Sequence, residues 1–234
     1  MDSLMETDWQ QAWRERSKKN FEVKDCAYWD GRAKEYNKHA GKSAYARTFI
    51  AYLNLEYKQS VLDMGCGPGT IAIPLAKAGH TVIAADFSPE MRKTTGEQAE
   101  AEGLKDFRVV ALDWNDNWED AGIMPKSIDI ALASRSTMAP DLVEAFMRLD
   151  RTARNKVAIS MRTEFTPRGH LQRGSVSTTE KPYIPDYIFG MNVLFQMGAS
   201  PELRYIDTKL GNGGQMEGKL VRWAYISWDP ISSP

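Results

Sequence analysis

The stretch from Val61 to Thr70, "VLDMGCGPGT", constrains this chain more than any other. An apolar strand runs straight into a glycine-rich turn, and short apolar runs then alternate with helical segments for about a hundred residues. "SVLD", "TVIAAD", "FRVVALD", "IDIALAS" and "KVAISM" read as five strands starting at Ser60, Thr81, Phe107, Ile128 and Lys156. Most are continuously apolar, as parallel strands covered on both faces must be. The segments between them carry helix signals. Ser88 is placed to cap a helix, with Pro89 in its first position, Glu90 in its first turn and Gly103 as its stop. Leu142, Phe146 and Leu149 form one helical stripe, and Ile184, Tyr187, Met191 and Leu194 another.

Two later apolar runs, "LRYID" and "KLVRWAYISW", are joined by "TKLGNGGQMEG". That connection has no helical pattern and fits a hairpin better than a parallel crossover. The fold expected is therefore α/β: a doubly wound, mostly parallel, seven-stranded sheet ending in an antiparallel pair. Residues 1–55 read as an N-terminal helical cap, with stripes at Met5, Trp9, Ala12 and Trp13, then Trp29, Ala33 and Tyr36, then Tyr45, Phe49, Tyr52 and Leu53. Residues 56–234 form the main part of a single globular unit. The polar segment 163–182 reads as a mobile insertion after the fifth strand.

Bulk properties exclude several functions. The formal net charge of −1 removes the strongest sequence-level argument for nucleic acid or an anionic membrane as main partner, with a local basic patch left open. Two cysteines are too few for a disulfide framework, and three histidines show no metal-ligand spacing, so no metal site is expected. The polar N-terminus is unlike a signal peptide and no apolar run is long enough to span a membrane, which makes a cytoplasmic location the expectation. Oligomeric state is not legible.

The glycines at positions 65, 67 and 69 depart from the dinucleotide fingerprint, whose third glycine falls one position later, at Thr70. Asp63 is the more telling departure. A carboxylate about 4–6 Å from a pyrophosphate costs on the order of a few kcal/mol in a partly buried site. Asp86 lies 19 residues after Gly67, where a βαβ nucleotide site puts an acid on a ribose diol. A ligand with a ribose, no phosphate and a cationic end meets both demands, and S-adenosylmethionine is such a ligand.

At these residues the chain resembles a family. "VLDMGCGPGT", "AADFSPEM" and "ALDWND" look like the first three cofactor motifs of the class I S-adenosylmethionine-dependent methyltransferases, over roughly residues 60–160. The resemblance implies a Rossmann-like fold and a Rossmann-like methyltransferase domain over 56–234. It implies that Gly65 and Gly67 let the backbone approach the methionine moiety and that Asp86 binds the ribose. Phe87 and Met91 would pack on adenine, Asp113 would accept from its amino group, and Trp114 would lie near the ring. Asp113 also reads as an ordinary strand-terminating acid, and Cys66 as a small buried filler.

For the acceptor, Arg135 and Arg162 follow two strands at the end of the sheet where a transferable methyl would lie. They suit a clamp on a carboxylate or phosphate, or else each pairs with a surface acid. Tyr28, Trp29 and Tyr36 suit a lid over the cofactor, or core packing. Glu164 and His170 are bases only by position, and no catalytic base is assigned. "SRST", after the fourth strand, lacks the Asn/Asp-Pro-Pro-aromatic motif of enzymes methylating DNA bases or glutamine. The reading is methyl transfer to a small-molecule acceptor, anionic if the two arginines form a clamp; methylation of protein or RNA, or silent S-adenosylmethionine binding in regulation, stays open.

Overall fold

A computed structural model describes residues 6–20, 25–33, 35–36, 43–137, 139–163, 184–209 and 220–231. The continuously apolar runs become strands because each has a helix layer on both faces. In chain order the elements are α1 (Trp9–Asn20), α2 (Cys26–Asp30), α3 (Ala44–Leu53), β1 (Ser60–Met64), α4 (Ala72–Lys77), β2 (Thr81–Asp86), α5 (Pro89–Ala101), β3 (Phe107–Ala111), β4 (Ile128–Ser134), α6 (Leu142–Thr152), β5 (Ala153–Arg162), α7 (Asp186–Gln196), β6 (Glu202–Lys209) and β7 (Leu220–Trp228). The expected cap on α5 is present: Ser88 is the N-cap, its hydroxyl accepts from the Met91 amide, and Pro89 opens the helix. Most of the expected insertion, residues 164–182 with Glu164 and His170, lies outside the described residues, as does Met5.

The strands form one seven-stranded sheet in the order β3-β2-β1-β4-β5-β7-β6. All neighbours from β3 to β5 pair in parallel, while β7 runs antiparallel to both β5 and β6. The sheet thus ends in the expected antiparallel pair, with the later strand on the inside. β1 is flanked by β2 and β4, so the chain's path reverses direction there and opens a crevice at its carboxyl end.

Alternation along each strand divides the core in two. Leu62, Met64, Ala131, Ala133 and Ile159 pack with Phe146, Leu149, Val193 and the indoles of Trp9 and Trp13 on one face. Val61, Val82, Leu132 and Ala158 pack with Tyr45, Phe49, Leu53 and Leu75 on the other. The first 55 residues therefore contribute to both layers: α1 joins the face of α6 and α7, and α3 joins the face of α4. Trp9 and Trp13 are packing residues, as expected. No helix among the described residues is long and apolar enough to cross a membrane.

Candidate active site

The crevice begins where β1 must turn sharply. Gly65, Gly67 and Gly69 have φ of +71°, +54° and +82°, a region that glycine enters without a Cβ penalty. A Cβ on Gly65 would lie 2.3 Å from Cβ of Ser136, so that position needs glycine twice over. At Gly67 the nearest atom to an added Cβ is Sδ of Met91 at 4.0 Å, so the turn there faces open space. The amides of Gly65 and Cys66 both donate to the Ala85 carbonyl, which ties the turn to β2.

Asp63 sits under this turn with 1% of its surface exposed. Neither carboxylate oxygen has a hydrogen-bond partner among the described residues. Burial raises its pKa from 3.8 to about 7, the charge of Asp86 adds to the rise, and the nearby Ala72 amide offsets part of it. A buried carboxylate this poorly served is costly unless it is protonated or matched by a cation.

Asp86, at the end of β2, accepts the Gly67 amide on Oδ2 at 2.8 Å and the Ser88 amide on Oδ1 at 2.9 Å. Burial holds its pKa up, while those amides and the Arg92 guanidinium oppose the rise. It therefore clasps the glycine turn to the start of α5, and each oxygen retains a further lone pair. Met91 is buried and Phe87 half-buried beside it. Cys66 is buried and its thiol is pushed well up, chiefly by burial, as befits a filler.

Across the crevice, the Trp114 indole donates to the Ser136 carbonyl at 3.1 Å, and the Ser136 hydroxyl donates to the Met64 carbonyl at 2.6 Å. This chain of contacts links the ends of β3, β4 and β1. Asp113 lies two residues past the end of β3; its Oδ1 accepts from both the backbone and the side-chain amide of Asn115. One oxygen of Asp113 is thus committed to holding its own turn.

Helix α2 lies against the start of α5. Its Asp25 N-cap accepts from the Tyr28 amide. At its other end, Asp30 accepts from the Ser88 hydroxyl and from the Glu90 amide, and the Ser88 bond holds its carboxyl below the ordinary range. Tyr28 packs edge-on against Trp29, which meets Tyr36; the Arg32 guanidinium lies 3.9 Å from the Tyr28 ring centroid. These aromatics form a cluster beside Asp86 rather than part of the main core.

Arg135 is exposed and follows β4 with φ +59°; its guanidinium lies over the Tyr45 ring at 3.9 Å. Arg162 ends β5. Neither arginine forms an ion pair with a carboxylate among the described residues, although the charge of Arg162 bears on Asp186.

Several site residues were not singled out from sequence. Thr95 donates to the Gly67 carbonyl, Gln98 to the Pro68 carbonyl, and Arg92 to the carbonyls of Asp86 and Phe87. Polar residues at Arg92, Thr95 and Gln98, spaced three apart on α5, are the signal that would have revealed a helix face turned to a loop. Asp30 and Ser136 carry no local signal.

Comparison with known proteins agrees with this geometry. A family model described as a methyltransferase domain matches residues 61–156. Residues 61–156 thus carry a methyltransferase domain, and the fold is the Rossmann-like one of the S-adenosylmethionine-dependent methyltransferases.

More particularly, the chain is 35% identical over 187 residues to an uncharacterized protein of Haemophilus influenzae, a match covering 78% of this chain and 67% of that one. An uncharacterized protein of Mycobacterium tuberculosis is 32% identical over 127 residues, and there the match spans only 43% of the relative's length. Among solved structures, a SAM-dependent methyltransferase from Aquifex aeolicus superposes with TM-score 0.56 at 17% identity, covering 93% of this chain and 98% of its own. Magnesium protoporphyrin IX methyltransferase from Synechocystis, solved with S-adenosylhomocysteine bound, gives 0.55 at 15% identity, with 94% of each chain covered. At such identities the structural likenesses establish the fold.

Proposed function

We propose that this protein transfers the methyl group of S-adenosylmethionine to a small-molecule acceptor. The observation that carries the reading is Asp63, a buried carboxylate without a hydrogen-bond partner among the described residues, placed where a phosphate-bearing cofactor would be repelled. When bound, S-adenosylmethionine supplies an electrophilic methyl group on a sulfonium. The chain's own residues hold and orient it.

In this reading Asp63 balances the cationic methionine end, and Gly65 and Gly67 allow close backbone approach. Asp86 accepts the ribose hydroxyls on the lone pairs that the Gly67 and Ser88 amides leave free. Phe87 and Met91 pack on one side of adenine, Trp114 walls the other, and the uncommitted oxygen of Asp113 accepts from the amino group. The N-terminal segment 1–55 acts as the helical cap, and within it α2 closes over the ribose, bringing Tyr28 and Tyr36 toward the acceptor. The near-neutral net charge favours a small acceptor over a polyanion, which needs a basic surface for binding.

Calorimetry tests the cofactor half: S-adenosylhomocysteine binds and NAD does not, and tight NAD binding without any response to S-adenosylhomocysteine would overturn it. Consumption of S-adenosylmethionine against a panel of small acids, bulk tRNA and a protein extract tests the rest. Turnover confined to tRNA or protein would refute the small acceptor.

A further inference from the structure

The ends of β4 and β5 and the first half of β7 meet one residue away from the crevice wall at Ser136. There the fold brings the Arg135 guanidinium to the Trp223 indole and sets Arg162 opposite the same residue in the sheet. Arg135 leaves β4 in the left-handed region at φ +59°, a conformation unfavourable for a residue with a Cβ. Its amide donates to the Ser160 hydroxyl at 2.9 Å, which fixes the turn. The result is that its guanidinium lies over the Tyr45 ring and 5.5 Å from the centroid of Trp223. Tyr45 cannot swing away, because it is buried and its hydroxyl bonds both Ser134 and Ser160, at 2.9 and 2.6 Å.

Arg162 stands directly opposite Trp223 in the antiparallel β5–β7 ladder. Opposed residues project from the same sheet face, so Arg162 leaves β5 on the side of the sheet that carries Trp223. Arg162 acts on Asp186 through its charge, but Asp186 accepts its hydrogen bond from the Arg16 guanidinium at 2.7 Å. The indole N–H of Trp223 is buried and has no acceptor among the described residues.

Three donor side chains, two of them cationic, thus project from one side of the sheet with no hydrogen-bonded acceptor among the described residues. Two like charges repel, and a buried N–H left unpaired is costly. One anion with several oxygens relieves all three. With a ring covering one face of Arg135, its N–H edge remains available, and that planar fork suits an oxyanion.

The geometry points to an oxyanion subsite made by Arg135, Arg162 and the Trp223 indole N–H, which binds a carboxylate or phosphate group on the molecule that is methylated. This inference rests on the methyltransferase reading for its link to the acceptor. The oxyanion itself is recognised by the three donors.

The test uses the full-length protein saturated with S-adenosylhomocysteine, titrated calorimetrically at constant ionic strength with inorganic phosphate and, separately, with benzoate. At least one probe binds saturably, and whichever does assigns the oxyanion. Arg135→Gln and Arg162→Gln each weaken that binding about tenfold, while S-adenosylhomocysteine affinity stays within about twofold. Arg135→Lys weakens it as well, because an ammonium lacks the fork. Trp223→Phe keeps the ring and lowers affinity by removing the N–H, which covers the case in which an arginine variant fails to fold. Absence of binding by both probes, or equal binding by wild type and all four variants, would overturn the subsite. If S-adenosylhomocysteine itself does not bind, the methyltransferase reading fails; the same titrations without it still decide the oxyanion subsite.

Discussion

Replacing Asp63 with Asn tests whether this carboxylate is held ready for a cation. In the cofactor-free protein its pKa stands at about 7 against an ordinary 3.8, chiefly through burial. A carboxylate with a raised folded-state pKa binds its proton more tightly in the native than in the unfolded state. Its favourable contribution is complete below pH 4 and is lost as pH rises through 7. A shift of roughly three pH units at about 1.4 kcal/mol each makes the ionised group unfavourable by about 4 kcal/mol at pH 8. Asn cannot ionise, yet its buried amide must also find partners, at a cost of about 1–3 kcal/mol. That amide cost is the same at both pH values and cancels between them, and by pH 5 the unfolded carboxyl is already ionised, so Asp63→Asn is expected to raise unfolding free energy by about 2–3 kcal/mol more at pH 8 than at pH 5. Urea unfolding of both proteins at the two pH values, with S-adenosylhomocysteine absent, measures the difference directly and cancels the other acids. Adding S-adenosylhomocysteine should reverse the ranking at pH 8, since only the wild type offers a countercharge. A wild-type-minus-variant difference that does not change between pH 5 and 8 would refute the reasoning.

Three further outcomes follow from the site. Asp86→Ala should weaken S-adenosylhomocysteine by about 1.5–3 kcal/mol and also lower the melting temperature, since the Gly67 and Ser88 amides lose their acceptor; Asp86→Asn keeps one acceptor oxygen and should separate the two effects in calorimetry and melting curves. Gly65→Ala should be strongly destabilising because its Cβ meets Ser136 at 2.3 Å, whereas Gly67→Ala should lose cofactor affinity with only about 1–2 kcal/mol of stability, and equal stability losses in denaturant would contradict this. Asp30→Ala removes the partner of Ser88 and Glu90 and should speed S-adenosylhomocysteine dissociation in stopped flow, with an unchanged rate arguing against α2 as a closing element.

Local pattern in the chain determined a good deal. "TVIAAD" and "IDIALAS" are strands from first residue to last, because an apolar β-branched run between turns has no competing conformation. Ser88-Pro89 placed the start of α5, and Gly103 follows its C-cap at φ +65°. Asp63 and Asp86 were legible as acids at or beside strand ends because each closes a short apolar run ahead of a turn. Where periodicity was the only guide, edges drifted: β3 stops at Ala111, short of Asp113, and β5 begins at Ala153, ahead of Lys156.

Tertiary structure decided which surfaces meet. A helical stripe such as Trp9 and Trp13, or Tyr45 and Phe49, says that one face is buried; it does not say against which side of the sheet, and α1 and α3 went to opposite sides. The hairpin of β6 and β7 was legible, but not that β7 would be the strand beside β5. Nor was the gathering of Tyr45, Arg135 and Trp223, or of Asp30 and Ser88, whose partners lie far apart in the chain. The reason is physical: turns and caps are set by hydrogen bonds among neighbours in sequence, whereas the crevice exists only once strands distant in the chain share one sheet.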